Sequence, residues 1–240
     1  MTDDRNCYQI TRIDAKNCFV ESLSDTFSYG KAHLTFCTYD KSRPEGQRMT
    51  ANIQIYIDIA DWLELCRMLD SGELRATVAA QNRSGSRDPI KEWLGGTSAK
   101  KLAKLGKPRE DGKSLSRTAQ LYAARNARSV LFAASSGPGE ENATGLIVPK
   151  FGKNPEQHVA VSMTLDNLSK LLLLTRIHYT AWLTAGYMRQ DSSSREQAAP
   201  AASAHSRTER MPQQQAARQT QPRSLQTPSK PTIQSPVAMF

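Results

Sequence analysis

Residues 49–57 alternate without a break: Met49, Ala51, Ile53, Ile55 and Ile57 leave on one side, Thr50, Asn52, Gln54 and Tyr56 on the other. Successive side chains of an extended chain point to opposite faces, so this pattern predicts a strand half-buried in a sheet. Asp58 follows where a helix N-cap belongs, and Ile59, Trp62, Leu63, Cys66 and Leu69 then recur at amphipathic-helix spacing. Gly72 is its natural stop. Upstream, Lys31–Tyr39 reads as a second strand, joined through the turn-forming residues 41–47, and Cys18–Leu23 as a shorter third. Residues 1–72 are therefore expected to form a strand-strand-strand-helix unit. Its inner face (Leu34, Phe36, Ile53, Ile55, Ile57) is covered by the helix and its other face left open.

The same grammar returns over residues 114–189. Residues 114–124 alternate, with Ala119 and Leu121 opposed to Thr118, Gln120 and Tyr122. Residues 129–134 read as a strand closed by the turn Gly137-Pro138-Gly139, and 146–151 with 158–163 as a further pair joined through Gly152–Pro155. Thr164 caps a helix carrying Leu165, Leu168, Leu171, Leu172 and Thr175. At an offset of 106 residues, Ile53, Ile55 and Ile57 fall on Val159, Val161 and Met163. Asp58 then falls on Thr164, Ile59 on Leu165, Trp62 on Leu168 and Cys66 on Leu172. The expected fold class is thus α+β: two pseudo-repeated antiparallel-sheet-plus-helix units.

Between them, residues 73–113 read as a basic helical connector with two short helices, 88–94 and 97–105, broken at Gly95-Gly96. Residues 190–240 are Gln, Ala, Ser, Pro and Arg with almost no large apolar side chains. Such a segment cannot offset the roughly 1–2 kcal/mol per residue that backbone ordering costs, so a disordered tail is expected. The chain carries a net charge of +9, which favours a polyanionic partner. No apolar run approaches the length of a membrane span, the start is acidic, and the four cysteines are widely spaced; the reading is a cytoplasmic protein with reduced thiols.

Little in the chain points to catalysis, and no cofactor or metal is expected. Gly106 and Gly112-Lys113-Ser114 resemble a phosphate loop, but five residues separate the glycines where four are required. Among the histidines, His33, His158 and His178 stand at no ligand spacing from a Cys, Asp or Glu. The informative feature is the polar face of each sheet. Lys31, His33, Tyr39, Arg48, Gln54 and Tyr56 belong to the first. The second has Arg117, Gln120, Tyr122, Arg125 and Arg128, with Lys150, Phe151 and Lys153 ending the next strand. Cations beside aromatic rings suit single strands, whose phosphates meet Lys and Arg while unstacked bases lie on the rings.

This layout resembles the whirly family and its single-repeat relatives, the transcriptional-coactivator-type binders of single-stranded DNA. The resemblance covers residues 18–72 and 114–188 and rests on element order. The family's Lys-Gly-Lys-Ala-Ala signature is answered only by Gly30-Lys31-Ala32. Gly137-Pro-Gly-Glu-Glu-Asn142 and Gly145-Leu-Ile-Val-Pro149 are similar to segments of uncharacterised proteins of conjugative elements and plasmids of gut Firmicutes. The two resemblances imply a non-catalytic protein of a mobile element that binds single-stranded DNA through its outer sheet faces. Two alternatives stay open. One is RNA in place of DNA. The other is a protein-interaction module, a conjugation accessory factor or an inhibitor of host defence, whose contact surface is the helix over 164–188. A homo-oligomer, and a partner for the apolar tip Pro236-Val-Ala-Met-Phe240, belong to the same set of expectations.

Overall fold

The computed structural model describes residues 7–126 and 128–198, with side chains through residue 189. The fold is α+β with two antiparallel sheets. The first is a meander of β1 (Gln9–Ala15), β2 (Cys18–Leu23), β3 (Lys31–Tyr39) and β4 (Met49–Asp58), paired in that order. The helix α1 (Ile59–Asp70) leaves its last strand, and α2 (Glu73–Ser84) follows at once. The second sheet contains β5 (Lys91–Thr97), β6 (Ser114–Ala123), β7 (Ser129–Glu141) and the short β8 (Ile147–Pro149), with β9 (Gln157–Thr164) also paired to β7. A six-residue helix α3 (Ala99–Lys104) precedes β6, and α4 (Leu165–Ala198) leaves β9. A separate unit begins at Glu196, outside the described residues apart from the end of α4.

The alternation over 49–57 is realised from residue 52 onward, whereas Met49, expected on the buried face, is 54% exposed and Ala51 half-buried at the strand's start, next to a register shift opposite Tyr39. Ile53, Ile55 and Ile57 are buried, Asn52 and Tyr56 are exposed, and Gln54 is half-buried. In register, Ala32, Leu34 and Phe36 of β3 lie opposite them, so one continuous apolar face forms. Val130, Phe132 and Ala134 of β7 stand in the same way opposite Met163, Val161 and Val159 of β9. The two apolar faces meet directly: the Phe36 and Phe132 rings pack edge-to-face at 5.1 Å. β4 touches β5, β6, β7 and β9, while β9 touches all four strands of the first sheet, as in sheets stacked at a steep angle. The helices complete the core. Leu165, Leu168, Leu171, Leu172 and Thr175 of α4 are buried as the spacing predicts.

Several expectations need correction. The buried stripe of α1 is Trp62, Leu65, Cys66 and Met68, whereas Leu63, assigned to that stripe, is 38% exposed. Asp58 occupies the cap position but makes no cap bond; its carboxylate takes Lys31 Nζ at 2.5 Å instead. Thr164 does cap, its Oγ1 accepting from the backbone N–H of Asn167 at 3.1 Å. The stretch 88–94, read as helix, belongs from Lys91 onward to a strand, because β6 offers it a free edge to pair with. The helix α2 falls in the supposed connector outside both predicted pieces, and β1 supplies a fourth strand to the first sheet. Gly137-Pro138-Gly139 is not a turn but lies inside β7. There Pro138 falls between the pairing of Ser129–Ser136 with β9 and that of Gly139–Glu141 with β8. No ladder bond is demanded of its missing N–H at that switch. Residues 147–149 accordingly pair with β7, not with β9. The helix of α4 runs to Ala198, past residue 190 where a tail was expected to begin; the rest of that tail, with its apolar tip, lies outside the described residues.

Two glycines shape the far end of the second sheet. A Cβ on Gly139 would stand 2.7 Å from both Ile147 Cγ2 and Ser116 Cβ, and one on Gly96 2.2 Å from the Leu115 carbonyl oxygen. Buried Ile147 fills the depression they leave, which seats β8.

Ile55 is 4% exposed in the centre of β4. Ile55→Ala should lower unfolding free energy by about 2–5 kcal/mol, since the cavity is walled by two sheets that cannot both collapse into it. Denaturant titration checks this; a loss under about 1 kcal/mol would contradict the assigned core face.

Candidate nucleic-acid interface

On the first sheet the predicted polar-face residues do come together, but already engaged with one another. His33 is 6% exposed: Nδ1 lies 2.8 Å from Asp25 Oδ1, Nε2 meets Gln54 Oε1, and the ring stacks on Tyr56 at 4.5 Å. Thr35 donates to the same Gln54 oxygen at 2.9 Å, and the Gln54 amide donates on to Asn52. Acids are interleaved here. The Arg12 guanidinium lies 3.5 Å over the Phe19 ring while paired with Asp14 at 2.7 Å. Glu21 holds its proton more tightly than an ordinary glutamate, because burial outweighs the pull of Arg12 and His33. Tyr39 packs on Phe19 at 6.3 Å with Lys41 over it at 5.8 Å, and exposed Arg48 reaches the Arg43 carbonyl at the rim. The missed strand β1 brings the Arg12–Asp14 pair to this face, while the acids that meet Lys31 and His33, Asp58 and Asp25, come from the end of β4 and the loop after β2.

The second sheet differs. Its outer face and the loop after β8 enclose an open groove of about 590 Å³. The floor is Thr118, Gln120, Ser135 and His158; the loop wall is Phe151 and Lys153. Pairings across β6, β7 and β9 place the floor residues in one row, Thr118 beside Ser135 beside His158. The Ser135 hydroxyl and His158 Nδ1 are 2.9 Å apart. Phe151 reaches its place because β7 has Gly137 there: a Cβ would stand 2.9 Å from the ring. One acid, Glu92, stands at the edge and accepts from Gln120 Nε2 at 2.5 Å; Tyr122 Oη donates to Gln120 Oε1 at 2.6 Å. Lys150, just outside, is paired with Glu140 at 2.8 Å.

The remaining predicted residues lie elsewhere. Arg125 and Arg128 sit in the β6–β7 connection. Arg125 lines a separate recess with Tyr122 and Arg87, and Arg128 faces Arg75 and the start of α4. Arg117 shares the parity of Ala119 and Leu121, so it faces the first sheet rather than the open face. Thr118 and His158 belong to the groove by the alternation of their strands. Glu92 was hidden because its stretch reads as helix.

Among the described residues, no group of His, Cys, Asp and Glu is placed to hold a metal ion, and no helix is long and apolar enough to cross a membrane. Comparison with protein-family models, with curated proteins and with solved structures gives no match.

Cys37 lies on the polar face of β3 but is 1% exposed, and burial pushes its thiol up to about 11; Cys66 in the core is pushed up to about 11 in the same way. Neither is a nucleophile at neutral pH. Thiol titration of the native chain at pH 8 with a chromogenic disulfide should therefore register exposed Cys7 quickly, and all four thiols after denaturation. Unfolded thiols ionise near the ordinary 9.0, before these two do, so their contribution to stability is full below pH 9 and is lost as pH rises toward 11. Fast labelling of Cys37 in the folded chain would contradict this placement.

Proposed function

We propose that this chain is a non-catalytic binder of single-stranded nucleic acid, DNA before RNA, using the open face of the second sheet as its main seat. The observation that carries the reading is the groove over β6, β7 and β9. It combines an aromatic ring (Phe151), a cation (Lys153) and a row of hydroxyl, amide and imidazole groups (Thr118, Ser135, Gln120, His158). An unstacked base can lie on a ring for about 1–3 kcal/mol, and its edge and phosphate can use the polar row and the lysine. A duplex presents no base faces, so this chemistry favours single strands. The net charge of +9 supports a polyanionic partner. Both sheets hold a four-strand meander in chain order, β1-β2-β3-β4 and β5-β6-β7-β9, each ending in a helix. That parallel supports a pseudo-repeated, whirly-like arrangement. With it goes the setting that the resemblance implies, a protein of a plasmid or conjugative element handling single strands in transfer or replication, and the cytoplasmic location read from the cysteine spacing and the absence of a long apolar run.

Fluorescence anisotropy with labelled oligo-dT, the matching duplex and oligo-U across a salt series tests the reading. Oligo-dT should bind most tightly, with affinity falling as salt rises. Phe151→Ala should cost roughly 1–3 kcal/mol of that affinity with little change in salt slope. Equal, weak binding to all three probes would sink the proposal.

A second reading, a protein-contact module, is favoured by one observation. On α4, Ile177 and Met188 are 58% and 68% exposed, with Ala181 and Thr184 between them at alternating four- and three-residue spacing. That is the seam of a two-helix coiled coil, and self-association along it is the form we assign to this reading. Under it, Ile177→Asp should reduce the mass seen by light scattering from dimer to monomer. A wild-type monomer would withdraw it.

A further inference from the structure

Arg117 has an environment that the fold alone does not explain. It projects from β6 toward the first sheet, and burial shifts its guanidinium toward easier deprotonation, with the Tyr56 hydroxyl only partly opposing this. A guanidinium stays charged in proteins, so the shift measures an uncompensated desolvation cost rather than neutralisation. Among the described residues its one side-chain hydrogen bond is to Thr97 Oγ1, donated by Nη1 at 3.0 Å. No carboxylate among the described residues comes within ion-pairing distance of it; Arg48, Arg75, Arg83, Arg87, Arg125 and Arg128 also lack one but are exposed, whereas Arg117 is half-buried.

The group opens into a cleft of about 320 Å³ between β4 and β5, the facing edges of the two sheets. Lys31 and Lys101 stand on its walls, and Tyr56 lines it from the first sheet's outer face. Gly95 contributes no side chain: a Cβ there would meet nothing closer than 4.0 Å. The wall acid, Asp58, is held by Lys31 at 2.5 Å. The cleft thus holds a half-buried arginine fork with free donors, two lysines, one neutralised acid and an aromatic ring at its mouth.

We infer that this cleft is an oxyanion subsite that seats one phosphate group, with Arg117 as its principal ligand and Lys101 as the second. The fork of a guanidinium matches two phosphate oxygens, and the desolvation cost in the empty protein is recovered when the anion arrives. This rests on the proposed function in one respect: the phosphate is taken to be a phosphodiester of the bound strand. Tyr56 and Gln54 reach the cleft from the first sheet, and β5 walls it before continuing to Glu92 at the edge of the second sheet's groove. A strand phosphate at Arg117 therefore lies between the two faces.

The test uses the full chain and its variants Arg117→Gln, Arg117→Lys, Lys101→Gln and Lys16→Gln, the last an exposed cation on the β1–β2 turn. The probe is fluorescein-labelled oligo-dT. Arg117→Gln should bind at least tenfold more weakly, with a salt slope smaller by about 0.7, the loss of one phosphate contact on a single strand. Arg117→Lys should recover part of this, and Lys16→Gln should differ from wild type by less than twofold. Melting should tell the same story: a cation kept for a ligand can be removed with no fall in melting temperature. A variant Arg117→Gln that melts several degrees lower yet binds as wild type does would make Arg117 structural and overturn the inference. If wild type shows no preference for oligo-dT over duplex, the functional proposal fails, and inorganic phosphate decides the subsite separately. Phosphate exchanged for chloride at constant ionic strength should raise the melting temperature of wild type and leave Arg117→Gln unmoved. An equal rise in both, or none in either, overturns it. Should Arg117→Gln not fold, Lys101→Gln is read by the same criteria.

Discussion

The indole N–H of Trp62, fully buried on α1, donates to the Leu172 carbonyl of α4 at 3.3 Å, and the Cys66 thiol reaches the same oxygen at 3.6 Å. This is where the helix leaving the first sheet meets the helix leaving the second. A polar N–H taken out of water needs a partner, and here it finds one on the other helix. The Phe36–Phe132 contact between the sheets belongs to the same apolar cluster. Because each sheet spends its apolar face on this shared core, each has one face left for polar groups, and whatever the chain binds must be met there or at the sheet edges.

The two polar faces are not equivalent. On the first, Asp25, His33, Gln54, Thr35 and Asn52 close a chain of hydrogen bonds, and Arg12 with Asp14 closes the other side. Such a face is organised without a ligand, and a ligand would have to break bonds to use it. On the second, the long strand β7 changes partner at Pro138, the loop after β8 folds back, and Gly137 admits the Phe151 ring. The result is a recess walled by Phe151 and Lys153, whose floor is itself bonded, Gln120 to Glu92 and Tyr122, and Ser135 to His158. Arg117 extends this difference into the edge cleft, where a charge is desolvated without an acid to offset it.

The sequence by itself determined the strands and helices whose own periodicity decides them. Ile53, Ile55 and Ile57 had to share a face, and so did Leu165, Leu168, Leu171 and Leu172, because side-chain period is a local property of the backbone. Elements with weak patterns escaped. β1 has Ile10 and Ile13 among polar residues, α2 buries only Leu74 and Val78, and β5 contains Gly95-Gly96; each is held by what it packs or pairs against. Tertiary structure alone decided which polar residues are free. His33 and Gln54 share a face by alternation yet are bonded to each other, and Glu92 enters the groove through a strand pairing; the facing of Arg117 was legible in its parity with Ala119 and Leu121, but its lack of an acid partner was not. Which face a residue takes follows from its neighbours along the chain, but whether its charge is compensated depends on groups brought near it from far away in sequence.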